Sequence, residues 1–166
     1  MRFPIKLFVC LSLFTFFGFS QKTIHQAIEK YNTGSIDYID VETLKDKLDA
    51  GQNLVLLDTR AKAEYNVSHL KDAVWLGYEN LNLKALEDID KNQQLIVYCS
   101  IGVRSEQIGE QLKAMGYDNI KNLYGGIFEW TNQGYLVFQN QQQTQKVHAY
   151  DEFWGKFLLK AEKVFE

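Results

Sequence analysis

The stretch YCSIGVRSEQIGEQL, residues 98–112, sets Cys99 at the end of an apolar run and follows it with Gly102, Arg104, Ser105 and a helical pattern. Backbone N–H groups of residues 100–104 can turn inward as an anion-binding nest, and Gly102 can take a backbone angle that other residues resist. The helix that follows adds partial positive charge at the same point, and Ser105 is the expected N-cap. Arg104 brings a fixed charge and a planar fork of donors. Each of these effects favours a thiolate over a thiol. A single cysteine in an apolar stretch is ordinarily an inert core thiol. The surrounding residue types predict instead a nucleophilic Cys99 over an anion-binding loop of Ser100, Ile101, Gly102, Val103 and Arg104, activated without a histidine base.

A second charged pair, Asp58 and Arg60, follows another apolar run, NLVLL. The two residues read either as an accessory charge beside the cysteine loop or as part of a structural ion pair. The second is preferred, with Glu64 one helical turn beyond Arg60 as the expected partner. His69 reads as a turn histidine bonded to backbone, and His25 and His148 have no partners in sequence. Scattered histidines and one mature cysteine give no metal-ligand spacing, so neither a metal nor another cofactor is expected.

Positioning such a cysteine requires a scaffold, and the apolar pattern supplies one. Short strands are expected at 36–39, 54–57, 73–76, 94–98 and 119–123, and helical stretches at 22–31, 41–50, 61–65, 81–89, 106–115 and 126–130. Strands alternating with helices indicate an α/β fold with a central parallel sheet of about five strands and helices on both faces. In such sheets a ligand sits beyond the carboxyl ends of the strands, where Asp58 and Cys99 both fall.

The ends of the chain differ from this middle. Residues 1–20, MRFPIKLFVCLSLFTFFGFS, pair a basic start with an apolar run and small residues at Gly18 and Ser20. That is the pattern of a secretory signal peptide cut before Gln21, with a run too short for a transmembrane helix. Residues 21–34 read as an N-terminal helical extension, 35–138 as the principal domain, and 139–166 as a polar linker followed by an amphipathic helix at 150–165. That helix is expected to dock on the domain, with recruitment of a protein partner as the alternative. Its mixed charges do not suit an anionic membrane.

Of the 166 residues 46% are hydrophobic and 23% charged, which excludes a globally disordered chain, and a net charge of −3 with no basic patch excludes nucleic acid as the main partner. Removing residues 1–20 leaves 16 basic against 21 acidic residues and Cys99 as the lone cysteine, so no internal disulfide can form. Export is expected, to a periplasm rather than fully to the medium.

Three separated stretches carry a family resemblance. LLDTRAKAEYNVSHLKDAVWL, YCSIGVRS and MGYDNIKNLYGGIFEWTNQGYLV resemble, in order and spacing, the segments of a single-domain rhodanese-like sulfurtransferase between Ser35 and Val137. The resemblance implies a rhodanese-like fold and a double-displacement reaction. Cys99 would take a sulfane sulfur from a small anion such as thiosulfate and pass it, as a persulfide, to cyanide or a thiol. The N–H groups of residues 100–104 would hold the persulfide, and Arg104 would fix the loop and attract an anionic donor. The alternative is a sulfur-carrier or binding module without turnover, docked through helix 150–165. A cysteine phosphatase ranks lower. Phosphatases of related fold resemble H-C-x5-R, whereas Cys99 to Arg104 is C-x4-R with Tyr98 in place of the histidine. Ser68, Asp72 and Leu136 depart from the family pattern in turns outside the loop.

Overall fold

The computed structural model describes residues 24–166, so the signal-peptide reading of 1–20 falls outside the described residues. Helix α1, at 24–31, buries Ile24, Ala27 and Ile28. Then come β1 (Tyr38–Ile39), α2 (Val41–Asp49), β2 (Leu54–Asp58), α3 (Lys62–Val67) and β3 (Val74–Trp75). A 3-10 turn (Leu83–Leu86) leads to β4 (Gln94–Tyr98), α4 (Val103–Ala114), β5 (Ile120–Leu123) and α5 (Gly126–Asn132). The five strands form one parallel sheet in the order β1-β5-β4-β2-β3, which places β4 at its centre.

The pleat sends successive β4 residues to opposite faces, and both faces are covered. Leu56, Ile96 and Tyr98 pack under α1, α2 and α5 with Ile28, Leu44 and Phe128. Leu57, Leu95 and Val97 pack under α4 with Ile108 and Leu112. Local chemistry sets the helix starts. Asp40 caps α2 by accepting the Thr43 N–H at 2.6 Å, and that bond holds its carboxyl below the usual range.

Three expected elements take another form. The 81–89 helix is only the 3-10 turn Leu83–Leu86. The polar linker is a hairpin: β6 (Val137–Gln139) pairs antiparallel with β7 (Gln142–Thr144) through Asn140 and Gln141. Both connecting residues have positive φ, 45° and 66°, as a tight two-residue hairpin turn demands.

The 150–165 helix does not form. In its place a 3-10 turn (Trp154–Phe157) leads to β9 (Glu162–Val164), which pairs in parallel with β8 (Lys146–His148). Tyr150 stands at φ 68°, outside helical space, and Gly155 lowers helix propensity within the segment. One compact turn satisfies the same three-and-four spacing of apolar residues, and Leu158 then enters the core with no exposed surface. Asn132 clamps the turn, donating to the Phe157 carbonyl and accepting the Leu159 N–H, each at 2.7 Å. The segment is therefore docked on the domain, as one expectation held, but by a turn and a strand.

Candidate active site

The bend after β4 brings Cys99 to the floor of a pocket of about 160 Å³ lined also by Ser100, Ile101, Val103, Arg104, Tyr150 and Trp154. Helix α4 starts at Val103, three residues before the expected 106, with Gly102 as its N-cap at φ 102°. Ser105 thus lies inside the first turn and is not the cap. Its hydroxyl donates to Asn122 Oδ1 at 2.7 Å and lies 3.6 Å from the Cys99 sulfur. The backbone N–H of Gly102 donates to that sulfur at 3.2 Å.

The loop's curvature is enforced from behind. Its Cys99 and Ser100 carbonyls accept the N–H groups of Ile127 and Phe128, at 2.9 and 3.0 Å, from the first turn of α5. Gly126 permits that approach: a Cβ there would lie 2.3 Å from the Cys99 carbonyl oxygen. The Gly102 carbonyl accepts from Asn32 and Asn122 side chains at 2.9 and 2.8 Å.

Arg104 is fixed by Glu64 of α3 through two parallel bonds of 2.8 Å, and its Nη2 also donates to Ser100 Oγ at 3.0 Å. Its guanidinium lies between the Tyr78 and Tyr150 rings, 5.9 and 4.8 Å from their centroids. Burial pushes the Cys99 thiol up, but the Arg104 charge and the Ser105 and Gly102 donors outweigh it and hold the pKa below its ordinary value. Burial, the largest single effect, raises Glu64, but its bonds and charge attraction to Arg104, the Arg60 charge and the Ala61 N–H together lower it, so the pair remains ionised. The arrangement is a buried sulfur whose anionic form is favoured by the fixed cation beside it, with one open side.

Of the five expected loop residues, Ser100, Ile101, Val103 and Arg104 line this pocket, and Gly102 contributes its N–H to the Cys99 sulfur instead. Asp58 and Arg60 do not line it. They are fully buried and bonded to each other, with Arg60 Nη2 at 2.6 Å from Asp58 Oδ2 and 2.5 Å from the Ser68 carbonyl. The expected Arg60–Glu64 pair is therefore replaced by two others, Arg60–Asp58 and Arg104–Glu64. His69 bonds the Leu70 carbonyl at 2.9 Å, as a turn histidine should.

Sequence reasoning gave Glu64 the wrong partner and missed Asn122, Tyr150 and Trp154 as residues of the site. Tyr150 is held at the pocket mouth by His148, whose Nδ1 accepts its N–H at 3.0 Å. Burial, the largest effect, lowers the His148 pKa and keeps that nitrogen free to accept. Among the described residues no cluster of His, Cys, Asp and Glu could hold a metal, and no helix is long and apolar enough to cross a membrane.

Comparison with known proteins agrees with this geometry. The model of the rhodanese-like domain matches residues 40–133. A sulfurtransferase of Allochromatium vinosum is 31% identical over 99 residues, 60% of this chain and 92% of that protein. A Bacillus subtilis protein placed by its name among sulfur carriers is 30% identical over 100 residues, which span only 54% of its length. Among solved structures, a rhodanese-like domain protein from Staphylococcus aureus superposes with a TM-score of 0.55 at 26% identity, covering 63% of this chain and 99% of that one. With its central parallel sheet, its cysteine loop and a family match over more than half its length, the chain belongs to the rhodanese-like domain family.

Proposed function

We propose that the protein is a sulfurtransferase that works through a persulfide on Cys99. The Cys99 thiolate attacks the outer sulfur of a donor such as thiosulfate. A sulfur–sulfur bond forms to Cys99, the donor's own bond breaks, and sulfite leaves with its electron pair. Cyanide or a thiolate then takes the outer sulfur as thiocyanate or as a new persulfide, returning Cys99 as thiolate. The single observation that supports this reading is the anion-stabilised sulfur: a buried Cys99 under the Gly102 N–H and beside the Arg104 charge.

Four residues separate Cys99 from Arg104, and the tight loop between them suits a single sulfur atom better than a phosphate. The carrier-module alternative drew on a docking helix at 150–165, and that segment is instead a turn and strand packed on the domain. Intact mass after thiosulfate tests the proposal. A gain of one sulfur atom is expected, absent in Cys99→Ser and removed by cyanide. A folded protein with a free thiol and no gain would overturn thiosulfate transfer.

We also propose that the reaction takes place after export. The basic-then-apolar residues 1–20 support this, and a mature chain found to begin at Gln21 is the expected result.

A further inference from the structure

Beside the cysteine pocket lies a second, larger one of about 350 Å³, a volume suited to a small organic molecule. Arg104 and Tyr150 line both pockets and form the edge between them. The second pocket offers the half-buried rings of Trp75 and Tyr78, together with Lys62 and Glu79. Its charges divide into two kinds. Arg104 and Glu64 are bonded to each other and committed to the cysteine loop. Lys62 and Glu79 are exposed and make no ion pair among the described residues. The Lys62 ammonium is instead held over the Tyr65 and Trp75 rings, 4.5 and 4.6 Å from their centroids, where it keeps its charge available. The cavity therefore presents one available cation and one available anion over an aromatic surface, next to the sulfur-bearing site.

Resting on the persulfide reading above, we propose that this second pocket is the acceptor subsite and that it takes a zwitterionic thiol, an amino-acid thiol such as free cysteine. Lys62 receives the carboxylate, Glu79 the ammonium group, and the Trp75 and Tyr78 rings the carbon body. The thiolate reaches over the Arg104–Tyr150 edge and attacks the outer sulfur of the Cys99 persulfide. The new sulfur–sulfur bond forms on the acceptor as the old one breaks, and the electron pair returns to Cys99. Among the described residues neither Lys62 nor Glu79 shares a hydrogen bond or ion pair with the cysteine loop, so loading of Cys99 with sulfur should not depend on either.

The test measures discharge of sulfur-loaded protein by four thiols, each rate corrected for its thiolate fraction. They are L-cysteine, 3-mercaptopropionate (no ammonium), cysteamine (no carboxylate) and 2-mercaptoethanol (neither). Lys62→Gln is expected to slow L-cysteine and 3-mercaptopropionate roughly threefold and to spare the other two, in keeping with an exposed charge pair. Glu79→Gln should slow L-cysteine and cysteamine alone. Four rates that fall together, or none that falls, would overturn the subsite. If Cys99 takes up no sulfur at all, the persulfide reading fails on its own mass measurement, and the pocket is then read separately. Unloaded protein titrated with S-methyl-L-cysteine should shift the Trp75 indole N–H resonance, and the double variant should not respond. An unmoved resonance in the unaltered protein would sink the proposal.

Discussion

Asp58–Arg60 and Glu64–Arg104 use the same chemistry within one small region and do different work. In the first pair both side chains are wholly buried, the partners lie two residues apart, and Arg60 reaches on to the Ser68 carbonyl at the end of α3. Its charge is spent on holding a turn in shape. The second pair joins α3 to α4 across 40 residues of sequence and leaves the arginine 17% exposed on the wall of the cysteine pocket. There the carboxylate orients a cation without hiding it. The difference teaches that the separation of the partners and the remaining open face decide whether an ion pair is scaffold or reagent.

The largest effect should come from breaking the scaffold pair. Arg60→Met leaves Asp58 buried and uncompensated, which costs about 3–5 kcal/mol of stability. Urea unfolding should show that loss, while the folded fraction keeps its kcat/KM within about twofold. Stability retained with activity lost would reverse the roles assigned to the two pairs. Arg104→Lys is the complementary change. The charge stays but the fork that matches Glu64 is lost, so kcat/KM with thiosulfate should fall roughly tenfold, with a smaller loss of stability than Arg60→Met.

The smallest effect is in acid. Glu64 has its pKa lowered in the folded chain, so the unfolded chain takes up that proton first. Its stabilisation is complete above the ordinary Glu value of about 4.3 and is lost as pH falls through the lower folded value. Arg104→Gln should flatten this part of the stability–pH curve. An unchanged slope would mean that Arg104 does not hold the Glu64 carboxylate.

The cysteine loop was legible because its determinants are local. Cys99, Gly102 and Arg104 lie within six residues, and the apolar run before them has a strand's length and composition. The five-strand parallel sheet was legible for the same reason, since each strand is bounded by its own turn signals. Glu64 was misread because Arg60 stands one helical turn before it in sequence, whereas its true partner, Arg104, is 40 residues away and is brought to it by the fold. The C-terminal segment was misread because spacing at three and four residues does not distinguish a helix from one turn ending in a strand. Its discriminating residues, Tyr150 and Gly155, carry little weight in a periodicity.

The β8–β9 pair has a consequence for how the site is built. Each strand is three residues long, β9 is mostly exposed, and this small sheet has no strand in common with the central one. Val147, Ala149 and Leu158 nevertheless fix its inner side in the core. The backbone that carries Tyr150 and Trp154 runs between these two strands, so one wall of the cysteine pocket comes from this segment while the loop beneath is fastened to α5. The mouth and the floor of the pocket thus rest on separate stretches of the chain, and residues of the mouth can be exchanged without recasting the floor.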